Sequence, residues 1–313
     1  MENSRRGIGR DGVRAAVVTD GAVLFARNGS FNAILAQQLK ALADGSARTN
    51  DKSTSAQIKV ANGALLPRIR MFESLGSSEG FYQDPNPKRF SNLLWDLTYI
   101  SHTQTGTILT FWANGAYRTQ RFNGLDSTYN ANNLDWNVAA PTATVTTNTA
   151  YPNLNVASNA GCELRNVIMN DFCSFLTTYF PTVVDYIVRP VRLGWQNNDA
   201  MNGARADDLI WVPSYKELAT TFGMNDNDRV GVQFSTANCF TRTAYPSAFN
   251  GAGCVFACTT SSGGVGGMCQ VATAFDVRPA LHIDISALNV VSYLSAGFAS
   301  GAVTGAGAGV TVN

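Results

Sequence analysis

The sequence predicts an α+β fold of β-strands, helices and long loops. Three observations carry this. Two aromatic, β-branched runs, Leu93 to Ile100 and Thr107 to Trp112, flank the polar turn Ser101 to Gly106 and read as adjacent antiparallel strands. Two segments, residues 30–44 and 159–180, carry apolar stripes at helical spacing. Near the end, Leu281, Ile283 and Ile285 alternate with His282 and Asp284, which predicts a strand with one buried and one exposed face.

The first 27 residues are rich in glycine and arginine (Arg5, Arg6, Arg10, Arg14) and read as a docking arm or a flexible tail. Gly7 to Gly12 formally matches GxGxxG but follows no strand, so it carries no nucleotide-binding expectation. Ser30 is placed to cap a helix to about Asp44 with the stripe Phe31, Ile34, Leu35, Leu39 and Leu42, which Gly45 would end. That stripe would pack on the main domain or on copies of itself. Residues 45–57 are polar and read as a linker. Ile58 to Met71 reads as strands around Asn62-Gly63, a hairpin signal, and Asp84-Pro85-Asn86-Pro87 is a second break.

Residues 123–160 form a long Asn/Thr/Ala-rich loop, of the kind that is usually functional or mobile. Asn159 is placed to cap the second helix, whose buried face is Leu164, Ile168, Phe172, Phe175, Leu176 and Tyr179; Pro181 stops it. A short segment, Thr182 to Tyr186, leads to strands at Ile187 to Leu193 and Asp207 to Val212. Ser214-Tyr215-Lys216-Glu217 then reads as a capping box, and Gly223 would end that short helix. Further strands fall at Cys239 to Thr243, Gly253 to Thr260 and Met268 to Ala274. In the last strand Pro279 locks its own φ and biases Arg278 to an extended conformation. Beyond Ser286 the tail is too glycine-rich for a stable helix and reads as disordered or as a strand added to a neighbour. The expected divisions are an N-terminal arm with its amphipathic helix (1–57), a connecting β segment (58–92), a main domain (93–286) and a Gly/Ala-rich C-terminal arm (287–313).

At 313 residues the chain is long enough for one large or two ordinary domains. Hydrophobic residues make up 45%, so a sizeable core is available. Charged residues make up 14%, against about 25% in an ordinary soluble domain. Asn, Thr, Ser, Gln and Gly must cover the surface, a balance that suits β-rich extracellular or virion proteins. The net charge of +1 argues against global attraction to nucleic acid or an anionic membrane. No secretion signal is visible, and no run approaches the roughly 20 apolar residues of a membrane span.

Six cysteines are present, and none forms a CxxC pair. Cys162 and Cys173 stand about three helical turns apart and so share a helix face. Cys239, Cys254, Cys258 and Cys269 are denser; they read as buried thiols, with a disulfide or zinc site as the alternative, but their spacing fits no zinc pattern. His102 lies in a polar turn and His282 on the polar side of a strand, neither beside a nucleophile in sequence. Asp207/Asp208 and Asp226/Asp228 fall at turns, where acids are common, and Asn225 to Asp228 lacks the downstream Glu of a calcium loop. No catalytic residue, metal or cofactor is therefore expected.

Five pieces occur in an order that resembles one family. They are Leu94-Trp95-Asp96-Leu97 with Thr107-Ile108-Leu109-Thr110; Glu163-Leu164-Arg165-Asn166 with Asn170-Asp171-Phe172; Asp208 through Leu218; Cys239-Phe240-Thr241-Arg242-Thr243-Ala244; and Val277-Arg278-Pro279-Ala280-Leu281. Together they resemble a large bacterial and phage domain family of unknown function that closes on a Val-Arg-Pro-Ala-aromatic strand. Here Cys239-Phe240-Thr241 stands where the family has Trp-Leu, and Leu281-His282 where an aromatic is usual.

The resemblance implies a C-type-lectin-like domain of mixed, mostly antiparallel sheets with two helices and long loops, similar also to formylglycine-generating enzymes; the N- and C-terminal arms read above flank it. It implies structural braces at Arg165, Arg242 and Arg278, because an arginine fork can tie backbone carbonyls to a carboxylate. Tyr129, Trp136, Tyr151, Tyr245 and Phe249 in the loops are the expected contact residues, since tyrosine-rich loops on a rigid scaffold make recognition surfaces. The expected function is a non-enzymatic phage virion protein: a tail, baseplate or head-surface component, homo-oligomeric, bound to other virion proteins and to a host-surface glycan or protein. A bacterial surface binding module and an oxidase-like enzyme are the alternatives; the first would carry a secretion signal, the second a redox-poised cysteine pair.

Overall fold

The computed structural model describes residues 22–47, 55–57, 68–76, 87–103, 106–124, 136, 139–145, 149–154, 157–190, 208–218, 239–245, 253–259 and 264–288. In chain order the described strands are β1 Val23–Phe25, β2 Ser55–Gln57, β3 Arg68–Phe72, β4 Leu94–Thr103, β5 Gly106–Asn114, β6 Arg118–Arg121, β7 Ala139–Val145, β8 Ala157–Ala160, β9 Cys239–Ala244, β10 Cys254–Thr259, β11 Gly264–Gln270, β12 Ala274–Val277 and β13 Ala280–Asp284. The described α-helices are α1 Ala33–Ala47 and α2 Glu163–Tyr179. The architecture is mixed α+β, with two sheets of mostly antiparallel strands, a small hairpin of β7 and β8, and few helices.

β4 and β5 form the expected hairpin, from Leu94 opposite Asn114 to Thr103 opposite Gly106. Ser101 to Thr103, expected in the turn, continue the strand. β13 pairs antiparallel with the other edge of β5, Ala280 opposite Trp112 and Asp284 opposite Ile108. β3 and β2 share the far edge of β4 at successive positions. β1 completes the sheet by pairing parallel with β3, Phe25 opposite Phe72.

Several local expectations are corrected. Val23–Phe25, expected in a terminal arm, belongs to this sheet. Ser55–Gln57, expected in a linker, is a strand of it. Helix α1 starts at Ala33 because Asn32, not Ser30, caps it: Leu35 N donates to Asn32 Oδ1 at 3.0 Å. Ser30 Oγ instead donates to Asn28 Oδ1 at 2.6 Å. Gly45 does not end α1, which runs to Ala47. Leu35, Ala36 and Leu39 join the main core, so the helix packs on the domain body.

Helix α2 is capped by Cys162, immediately before it, and by the chain that follows β6. Glu163 N donates to Asn123 Oδ1 at 2.8 Å, Leu164 N to Phe122 O at 3.0 Å, and Arg165 N to Cys162 Sγ at 3.4 Å. Three otherwise orphaned N–H groups of the first turn are thereby satisfied. Asn159, the expected cap, lies in β8 instead. The apolar stripe of α2 meets β3 through an aromatic cluster. Phe72 sits 4.9 Å from Phe175, 5.2 Å from Phe180 and 6.3 Å from Phe172, ring centre to centre. Phe90 stacks on Tyr117 at 4.6 Å and closes the cluster.

The second sheet runs β11-β10-β9-β12-β6. Only the β12–β9 contact is parallel, at Asp276 opposite Cys239. The strands expected at Ile187 to Leu193 and Asp207 to Val212 are straps in their described parts: Ile187 bridges Ile283, and Trp211 bridges Ala280. They cover the outer edge of β13. For that reason His282, expected on an exposed face, is fully buried: its ring lies 4.4 Å from that of Trp211, and Nδ1 lies 2.9 Å from Thr110 Oγ1.

Candidate functional site

The three motif arginines are all buried, and each joins elements distant in sequence. Arg165, on the first turn of α2, sends Nε to Asp208 Oδ1 at 2.9 Å. The other oxygen of Asp208 accepts from Trp136 Nε1 at 3.1 Å. Trp136 O in turn accepts from Cys162 N at 3.3 Å, one residue before α2. Gly161 makes this closure feasible: φ is +119°, and an added Cβ would stand 2.5 Å from both Trp136 O and Arg165 Cδ. Trp136 was expected as an exposed contact residue. It is fully buried, because its indole N–H can reach a carboxylate inside the core.

The capping box forms as spaced, with Ser214 N donating to Glu217 Oε2 at 2.8 Å and Glu217 N to Ser214 Oγ at 3.1 Å. Glu217 has a second role, which the motif alone did not signal. Arg242, on β9, grips both of its oxygens, Nη1 to Oε2 at 2.8 Å and Nη2 to Oε1 at 2.6 Å. Arg242 Nη1 also donates to Val212 O at 2.9 Å. Such forked pairs are roughly twice as strong as neutral hydrogen bonds. Arg278 donates from Nε to Ala113 O at 2.9 Å and lies 3.9 Å over the Trp112 ring, whose Nε1 donates back to Arg278 O at 3.0 Å.

The brace at Arg242 joins β9 to the 208–218 strap, and an aromatic patch stands on that strap, on β10 and at the residue after β9. Tyr215 lies 4.5 Å from Phe256, and Tyr245 lies 4.7 Å from the same ring in an edge-on arrangement. All three are half-buried, so they offer part of their surface to a partner. Their backbones are held: Tyr215 N donates to Thr243 Oγ1 at 2.8 Å, Tyr245 N to Cys254 O at 2.9 Å, and Phe256 O accepts from Thr241 Oγ1 at 2.8 Å. A fixed row of aromatic rings can stack on a sugar ring or an aliphatic side chain, and a tyrosine hydroxyl can add a hydrogen bond.

Of the loop residues expected to contact partners, Tyr245 belongs to this patch. Tyr151 packs half-buried on the core just before the turn Pro152–Leu154. Tyr129 and Phe249 lie outside the described residues. Tyr215 and Phe256 were not anticipated. The signal was present for Phe256, which stands out of phase with the buried Val255 and Ala257 on β10.

Burial shifts four further titratable groups. Burial lowers the His282 pKa to about 3, so the ring is neutral. Burial raises Tyr117 and Asp171 above their ordinary values, the neighbouring Asp171 carboxylate adding to the effect on Tyr117. Burial, and then Cys254 and Cys239, push the Cys269 thiol up. Among the described residues no group of three or more His, Cys, Asp or Glu side chains is placed to hold a metal ion. No described helix is long and apolar enough to cross a membrane. Compared with known proteins, the chain matches no family model, no curated protein and no solved structure.

Proposed function

We propose that the chain is a non-enzymatic structural protein of a phage particle, a tail, baseplate or head-surface component. Its C-type-lectin-like domain presents Tyr215, Tyr245 and Phe256 to a host-surface glycan or protein. The observation that carries the binding part is the aromatic patch itself. It is half-exposed, and it stands on strands locked by the buried Arg242–Glu217 pair. A patch held in place before binding loses little side-chain freedom when a partner arrives. The five ordered motifs and the low fraction of charge, 14%, support the virion part of the reading. Arg165, Arg242 and Arg278 act as braces in this account, and recognition falls to the surface they hold.

Immunogold labelling of purified particles with an antibody against residues 93–286 tests the virion role. Regular labelling at one position on each particle is the expected result. Particles that carry no label, beside abundant free protein in the lysate, overturn it.

A further inference from the structure

The described sheet edges are not alike. β1 and β2 are three residues long. β6 carries Arg118 and Arg121, tied to Asp171 and Glu163. β7 contains Pro141, and β8 has four residues. β13 is closed by the bridges to Ile187 and Trp211. Shortness, charge, proline, a bulge and cover are devices that stop a sheet edge from pairing with another chain. Among the described residues β11 shows the bulge alone, where Gly266 falls between the partners of Ala257 and Cys258. Its seven residues, Gly264 to Gln270, include no charge and no proline, and β10 is its one described neighbour. Met268, 40% exposed, is the exposed large hydrophobic side chain among the described residues, and it stands on this strand.

The same sequence supplies a segment suited to that edge. Residues 289–313 contain no charged residue and no proline. Within them Ala306, Ala308, Val310 and Val312 alternate with Gly305, Gly307, Gly309 and Thr311, a period of two that separates an apolar from a small or polar side. The 25 residues from 289 to 313 reach up to about 80 Å when extended, enough to arrive at a neighbouring molecule. Leu288, from which they depart, is packed into the core beside β5 and α1. To meet its own β11 the segment would have to pass from the first sheet to the outer edge of the second, whereas a neighbour can present that edge without such a path.

We infer that β11 is an assembly edge, and that residues 301–313 of a second copy add to it as a further strand. Main-chain hydrogen bonds would supply affinity, and the apolar side of the incoming strand would cover Met268. The inference draws on the proposed particle role only for the presence of many copies. Its failure leaves binding at Tyr215 and Tyr245 untouched.

Three forms of the purified chain test it: the full chain, the full chain with Met268→Lys, and a chain stopped after Ser300. Light scattering gives the mass of each, and hydrogen exchange gives the protection of β11 amides. The full chain is expected to be oligomeric with β11 protected. Met268→Lys should raise the dissociation constant at least tenfold. The shortened chain should be monomeric, with β11 amides exchanging faster, and a synthetic peptide of residues 301–313 should restore their protection. Circular dichroism melting identifies any variant that fails to fold, and the peptide experiment then decides. A monomeric full chain with protected β11 points to own-chain pairing and overturns the inference. So does a shortened chain that stays oligomeric, as direct pairing of two β11 strands would produce, or a peptide that protects nothing.

Discussion

Arg165 Nε lies 2.9 Å from Asp208 Oδ1 across a separation of 43 residues, and neither side chain is exposed. Removing one partner of such a pair strands the other charge in the core, at a cost of about 3–5 kcal/mol. Asp208→Ala is therefore expected to lower the unfolding free energy in urea by about that amount. A double change to apolar residues, Arg165→Met with Asp208→Leu, should lie closer to the parent than the single change does. A single-variant loss under about 1 kcal/mol, the size of an exposed pair, contradicts the assignment.

Glu217 caps a helix and neutralises Arg242, whereas Ser214 only caps. Ser214→Ala should cost about 1 kcal/mol, the usual worth of a cap. Glu217→Ala should cost about 3–5 kcal/mol, because the Arg242 guanidinium is left buried without its carboxylate. Urea midpoints compare the two. Equal losses would mean that the carboxylate contributes as a cap alone.

Gly161 and Gly76 both have positive φ, +119° and +86°, but only Gly161 is crowded. Gly76→Ala should cost about 1–2 kcal/mol, the backbone strain of a left-handed residue. Gly161→Ala should cost more, because the added carbon meets the Trp136 carbonyl, a backbone atom tied to the start of α2. Thermal melting of both variants checks the order, and the reverse order contradicts it.

His282 makes stability depend on pH in a defined window. Its folded pKa is about 3, and its unfolded value is about 6.5. Between these values the unfolded chain binds the extra proton. Stability should therefore fall as pH drops from about 6.5 towards 3, by up to about 1.4 kcal/mol per pH unit from this group, with no contribution above the window. Urea unfolding of the parent and of His282→Gln across that range isolates the effect. Parallel pH profiles would show that the folded ring titrates as the unfolded one does.

The parts of the fold set by local pattern were legible in the sequence. The β4–β5 pair, the face of α2, the capping box and the strand after Pro279 each follow from periodicity or from a motif a few residues long. The parts set by partners distant in sequence were not. Trp136 sits in an Asn/Thr/Ala-rich stretch, and nothing local says that its N–H meets Asp208. His282 alternates with apolar neighbours as an exposed residue would, yet Trp211 covers it. β1 pairs parallel with β3, a contact that no hairpin signal can announce. Within the candidate site, Tyr245 was legible as a loop aromatic. Tyr215 was masked by its place in a capping box, and Phe256 was a single aromatic in a strand.

Adsorption in competition with purified protein tests the central claim most directly. Bacteria on which the particle grows are incubated with excess isolated chain before particles are added. The parent chain should slow particle adsorption in a dose-dependent way. A chain carrying Tyr215→Ala and Tyr245→Ala, shown to be folded by its melting curve, should compete at least tenfold less well. Equal competition by the two chains, or none by the parent, contradicts the assignment of host binding to this patch.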